Sequence, residues 1–337
     1  MSDGIEWISD PGAFAALEPE WDALALTPFD RHCWYAAWWE SFGAGRELAV
    51  CTVRRDRALA GVLPLVRDAR GRLASMTNAH TPTFRPVGDG VAVVRAALDA
   101  RAPVLELQAV SDDARALFEN ESAPFVSHPV HRSPWLATDG AYEDWRKRTR
   151  PKGLERLRRK MARDHEARFA IAERPADPAG QLERGLELEA SGWKGKAGTA
   201  ILSDEATADF YRRMAAAFHV RDELRLTEIE LDGDLVAFEL CLLAGRRLYE
   251  LKIAYDEARR PLRPGRVLQL ATIDWCYAQP DVDVLEMLGD AEDWKAPFSD
   301  DVHPHHELRV YPPTLAGRAR YASRGLREAA SRLRARR

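Results

Sequence analysis

At 337 residues the chain exceeds one ordinary hydrophobic core and fits two packed units. Its 46% apolar and 30% charged residues are well mixed, which excludes a disordered chain. The start, with Asp3, Glu6 and Asp10, lacks the basic segment and apolar run of a signal peptide, and no stretch approaches a membrane span, so the expected location is the cytoplasm.

The net charge of −4 is unevenly spread: residues 318–337 hold eight arginines against Glu328, a tail of +7 that leaves −11 elsewhere. A second basic block, from Trp145 to Arg163, reads either as a solvated helix face or as a phosphate-attracting rim beside a nucleotide site. Cys33, Cys51, Cys241 and Cys276 are scattered in apolar surroundings without C-x-x-C spacing. They read as buried thiols, with no disulfide and no zinc ribbon expected.

In chain order, Glu47-Leu48, Asp56, Leu59 and Gly61 recur at a constant offset as Glu223-Leu224, Asp232, Leu235 and Ala237, an internal repeat that reads each time as strand, turn, strand. Pro64 interrupts the second strand of the first copy, because proline cannot donate to a ladder, and implies an edge or bulge. Apolar periodicity lapses at Arg150-Pro151-Lys152-Gly153. A boundary is placed there, giving residues 1–150, 151–317 and the basic tail 318–337.

The second half begins with an alternating edge strand, Ala167 to Glu173, and helical patterns near Gln181–Ala190 and Asp204–His219. Gly192-Trp193-Lys194-Gly195-Lys196 lacks phosphate-loop spacing; it reads as a plain interhelical turn or as a mobile aromatic and cationic loop covering a ligand. The run Leu224–Leu231 is joined through Asp232-Gly233 to Leu235–Leu243, and a type II′ turn at Gly245-Arg246 leads to Leu248–Tyr255. After a basic loop, a helix is predicted from Gly265 to Ala278 and a short buried strand from Val282 to Met287. The cluster Asp300, Asp301, His303, His305 and His306 reads as a polar loop before a strand Glu307–Tyr311, since Pro304 interrupts any metal-ligand spacing.

Arg263-Pro264-Gly265-Arg266-Val267-Leu268 enters that helix after a three-stranded meander. A helix start offers free N–H groups and partial positive charge, so the turn reads as a pyrophosphate cradle or simply as a basic capped turn. The matching stretch of the first copy, Pro86-Val87-Gly88-Asp89-Gly90, holds a carboxylate where a phosphate would lie.

Trp34 with Trp38-Trp39-Glu40-Ser41-Phe42-Gly43, the Gly61–Leu65 strand, Gly192–Gly195, Leu251–Asp256, the Arg263-Pro264-Gly265 turn, and Gly289 with Trp294-Lys295 carry a resemblance to GNAT-superfamily acetyltransferases. The sequence is similar to their CelD-like branch, associated with cellulose synthesis and akin to the Fem-type transferases. The resemblance spans most of the chain. It implies an α/β fold of mixed sheets in two tandem GNAT-like domains, with acyl-CoA, acetyl-CoA first, as co-substrate of the second and no metal. Where the family's turn usually has Ser and its late motif Tyr, this chain has Arg263 and Trp294.

Acyl transfer to an amine needs a base, donors for the oxyanion and a proton for the leaving thiolate. In the register set by Gly245-Arg246, Glu239 faces Lys252, either as a buried ion pair or as a base with its partner. Tyr255 is the candidate acid, or only packing. Asp290 and Lys295, beyond the Val282–Met287 strand, fall where open α/β sheets bind ligands. Trp193, Lys194, Lys252 and Trp294 complete the expected substrate contacts. The acceptor is read as a small or envelope-related amine, or a sugar hydroxyl. An aminoacyl-tRNA-dependent transferase and a non-catalytic scaffold for polysaccharide synthesis stand as alternatives; oligomeric state is left open.

Overall fold

The computed structural model describes residues 4–100 and 102–324. The chain forms two compact units, residues 1–131 with 304–337, and residues 132–303.

The first unit opens with β1 (Gly4–Ile8), α1 (Pro11–Ala16), α2 (Glu18–Asp22) and α3 (His32–Phe42). Trp21, Trp34 and Trp38 are fully buried there. Next come β2 (Glu47–Leu48), β3 (Val50–Arg55), β4 (Ala58–Leu63), β5 (Leu65–Arg67), β6 (Leu73–Ser75), β7 (Val87–Gly88), α4 (Gly90–Asp99), β8 (Leu105–Ser111) and α5 (Asp112–Glu119). Pro64 ends β4: the chain leaves the sheet β1-β3-β4-β7, and β5 pairs instead with β2 and β6. The strand β9 (Phe125–Ala137) leads into the second unit.

That unit holds α6 (Tyr142–Thr149), α7 (Lys152–Asp164), β10 (Ala167–Glu173), α8 (Pro178–Ser191), α9 (Trp193–Lys196), α10 (Glu205–Val220), β11 (Leu224–Leu231), β12 (Asp234–Ala244), β13 (Arg247–Tyr255), α11 (Pro264–Ala278) and β14 (Val284–Glu286). Its strands lie in the order β10-β11-β12-β13-β14, antiparallel except for the parallel pair β13 and β14. The first strand is the edge that its alternation predicts. Leu231, Val236, Val267, Leu270, Ile273 and Leu285 form the core between sheet and α11, and Trp145 of α6 and Met161 of α7 extend it.

The internal repeat is real in the backbone. Asp56 and Arg57 have φ of 49° and 71°, and Asp232 and Gly233 have 55° and 87°, so both hairpins close with two left-handed residues. Each then carries a bulge at the same place: Val53 pairs with Gly61 and Arg54 with Leu59, as Ile229 pairs with Ala237 and Glu230 with Leu235.

Two turn and strand expectations need correction. Gly245 and Arg246 both have positive φ, 57° and 64°, which is type I′ rather than II′. The guanidinium of Arg246 accepts this geometry because Asp283 holds it through two 2.6 Å hydrogen bonds. The histidine segment is not a loop: β15 (Asp301–Val310) runs straight through Pro304, with His303 stacked on Trp135 and His305 on His131. Most of the basic tail, residues 325–337, lies outside the described residues.

Candidate active site

The second unit contains a cleft of about 950 Å³ between the end of β13, the start of α11 and the loop after β14. Eleven of the residues expected from sequence line it: Trp193, Lys194, Glu239, Lys252, Tyr255, Arg263, Gly265, Arg266, Asp290, Trp294 and Lys295. Val267 and Leu268 do not; both are fully buried in the core against the sheet.

The cleft follows from one irregularity. From the Gly245-Arg246 turn the register of β12 and β13 is regular as far as Cys241 opposite Glu250, and then slips, so that Leu240 faces Lys252 and Glu239 faces Ile253. Leu251 is the extra residue of a β-bulge. The expected Glu239–Lys252 pair is therefore absent: opposite residues share a face, and the slip sends the two side chains to opposite faces. The Lys252 ammonium lies 5.6 Å over the Tyr211 ring, where burial lowers its pKa and Glu189 partly opposes that.

With Lys252 turned away, the companion of Glu239 is a residue from the regular part of the ladder. Glu250 pairs with Cys241, two residues along β12 from Glu239, so the two carboxyl groups occupy the same face. Both are buried and both line the cleft. Glu239 Oε2 accepts from the Thr272 hydroxyl at 2.9 Å, and among the described residues Oε1 has no hydrogen-bond partner. Gln269 donates to Glu250 at 2.5 Å. Burial pushes the Glu239 carboxyl up to about 7, while Thr272, Cys241 and Lys295 pull it down. Burial and then repulsion from Glu239 raise Glu250 well above the carboxylate range. Glu250 was not among the residues expected from sequence, although the regular register from the Gly245-Arg246 turn already sets it opposite Cys241, on the Glu239 face.

Lys295 provides the opposing charge. It is 9% exposed, its ammonium donates to Leu288 O at 2.7 Å and Asp290 O at 3.2 Å, and it sits 5.5 Å over the Trp294 ring. Leu288 and Gly289 take positive φ, which turns these carbonyls toward it. Burial lowers its pKa, and Glu250 is the first of the carboxylates that hold it up. The Asp290 carboxylate is exposed and fixes the same loop by accepting from the amides of Arg132 and Ala291.

At the other end, Pro264 has no N–H, and the amides of Arg266 and Val267 both donate to the Arg263 carbonyl at 3.0 Å. Gly265 thus keeps the amide that the helix start leaves without a helical acceptor. The Tyr255 ring covers this glycine so closely that a Cβ there would lie 3.1 Å from Tyr255 Cδ1. Trp193, 58% exposed, opens the short helix α9. Its amide donates to Glu257, and Lys194 is paired with the buried Glu189 at 2.7 Å. Among the described residues no group of acidic, histidine and cysteine side chains could hold a metal ion.

Residues 147–296 match the family model described as an acetyltransferase (GNAT) domain. The GNAT match lies within the second unit and contains the whole cleft. Similar solved structures reach beyond it. The C-terminal domain of a protein from Agrobacterium fabrum described as a lysylphosphatidylglycerol synthetase has a TM-score of 0.59 at 12% identity, covering 91% of this chain and 95% of that one. The L-PGS structure from Bacillus licheniformis has a TM-score of 0.54 at 11% identity, covering 94% and 96%. FemX gives 0.54 at 13%, covering 92% and 97%. At such identities the likeness is one of fold, and with the internal repeat it makes the chain a tandem of two GNAT-like α/β units. No curated protein matches the sequence.

Proposed function

We propose that the protein is an N-acyltransferase of the CelD-like branch that moves an acyl group from acyl-CoA to an amine of a small or envelope-related acceptor in the cytoplasm. The observation that carries this reading is the buried Glu239 and Glu250 pair facing Lys295 within the GNAT cleft. A carboxyl group with its pKa near 7 is matched to taking a proton at neutral pH from the nitrogen of the acceptor amine as that nitrogen attacks and becomes positively charged. With one proton shared between them, the two carboxyls balance the Lys295 ammonium, so the group awaits the acceptor's proton without net charge in the core.

The donor's pyrophosphate suits the Gly265 amide and the Arg263 and Arg266 guanidiniums, since a helix start favours anions. With the thioester carbonyl held in the cleft, the amine attacks, the carboxylate pair takes its proton, and the leaving thiolate is protonated, with Tyr255 as the candidate donor. Asp290 shapes the loop that holds Lys295, and Trp193, Lys252 and Trp294 are assigned to the acceptor side.

The test measures acceptor-dependent release of free thiol from acetyl-CoA across a panel of amines. Glu239→Gln is expected to cost ~10²–10⁴ in turnover. Full activity of the folded variant would remove Glu239 from the reaction, and a thermal-shift panel unresponsive to every acyl-CoA would favour a non-catalytic scaffold. An aminoacyl-tRNA donor is the second reading, favoured by the arginine-rich α6 and α7. RNA binding should weaken steeply with salt, and CoA binding much less.

A further inference from the structure

Beside the cleft lies a second concavity of about 370 Å³, lined by Arg150, Leu154, Arg156, Arg263, Arg266 and Phe298 among others. Pro261, Arg263 and Arg266 line both spaces, so the wall between them is made of the residues that begin α11. The opposite wall comes from the turn between α6 and α7. That turn is held firmly: Trp145 is buried and lies 5.8 Å from the Tyr277 ring, and Asp274 of α11 accepts from Tyr142 and from Arg158 at 2.6 Å.

The charges of this pocket are unbalanced. Arg146, Arg148 and Arg158, its neighbours in sequence, are all paired with carboxylates. Among the described residues, Arg150, Arg156, Arg263 and Arg266 have no carboxylate partner. Arg266 packs its guanidinium 5.6 Å over the Phe298 ring, has a buried Nε without an acceptor, and is destabilised as a cation by burial and by Arg263. Planar guanidinium groups gathered without counter-charge around one concavity suit a phosphate, which they bind with paired, charge-assisted hydrogen bonds. The volume sits at the small end of ligand pockets and suits one nucleotide-sized group rather than a strand.

We infer that this pocket is a second anion site, which grips a terminal nucleotide phosphate of a donor whose acyl end lies in the neighbouring cleft. Arg150 and Arg156 supply the contacts that the helix start cannot. The inference rests on the acyl-CoA reading for the donor's identity, and its site is separate from the carboxylate pair.

Calorimetry with adenosine 3′,5′-bisphosphate and adenosine 5′-monophosphate tests the pocket without any acyl chemistry. The parent protein should bind the bisphosphate at least tenfold more tightly. In the Arg150→Ala/Arg156→Ala double variant, with unchanged melting temperature, that advantage should fall below threefold, and Arg150→Lys/Arg156→Lys should recover part of it. Equal affinity for the two nucleotides, no binding of either, or an advantage that survives the double variant overturns the inference. So does an acceptor-stem RNA that displaces the bisphosphate more strongly than CoA does, since it would assign the pocket to RNA. If acetyl-CoA binds no better than its 3′-dephospho form, the pocket fails while the acyltransferase reading stands. If the bisphosphate discriminates but acetyl-CoA does not bind, the reverse holds.

Discussion

Under the proposed function, Glu239 ties the chemistry of the protein to its stability. Its folded pKa, about 7, lies above the ordinary 4.5, so the fold favours the protonated form. The associated stability is complete below pH 4.5 and is lost as pH rises through about 7, by ~3 kcal/mol once the group is fully ionised. Glu239→Gln should therefore raise the melting temperature at pH 8 and leave it unchanged at pH 4.5, while the same variant loses turnover. A variant that melts lower at pH 8 would show that the carboxylate is held by partners and costs nothing. In the parent, kcat/KM should climb about tenfold per unit below pH 7, as the base ionises, and level above it. Lys295 favours the ionised pair, so Lys295→Met should move that limb to higher pH and lower catalytic efficiency ~10²-fold at neutral pH. Kinetics within threefold of the parent, with an unmoved limb, would take Lys295 out of the site.

At the scale of elements, the bulge in β13 decides which side chains meet. The hairpin turn, the strand lengths and the helix start were legible because each is signalled locally, by Asp232-Gly233, by alternation, and by Pro264-Gly265 after a basic loop. The bulge was not, since Leu251 has no local mark that distinguishes it from its neighbours. A single unmarked residue turned Lys252 away from Glu239, whereas Glu250, opposite Cys241 in the regular register, could have been placed on the Glu239 face from the turn alone. Deleting Leu251 should leave an unbroken ladder, with Lys252 still opposite Leu240 and Ile253 opposite Glu239, and close the local distortion that the bulge makes beside the cleft, giving a folded protein with less than 1% of parental turnover. Normal activity in the deletion variant would make the bulge incidental. The helix start is the other deciding element. Gly265→Ala should weaken donor binding by forcing the Tyr255 ring aside, and Gly265→Asp should abolish it by adding an anion beside the cradle; calorimetry with CoA reads both.

Across the whole molecule, the two copies of the repeat have gone separate ways at one corresponding place. In the first unit the start of α4 is occupied by its own chain: Asp89 accepts from the Ala92 amide at 3.1 Å and pairs with Arg55. In the second the same point of the fold carries Gly265 and two arginines. One donor should therefore bind per chain, and Asp89→Ala should cost ~1 kcal/mol as a lost helix cap without creating a second site. A measured stoichiometry of two for the parent would contradict this. The two units also differ in how they are threaded. Residues 132–303 are contiguous, whereas the first unit takes its final strand from the far side of them, with His305 to Val310 of β15 pairing along β8. On the ribosome, then, the second unit has its full sequence before the unit that precedes it. Until residue 310 has been made, that edge of β8 waits with its ladder open. Newly made chains arrested in that interval should already protect β11 to β13 from protease, and should be the form most prone to strand-mediated association.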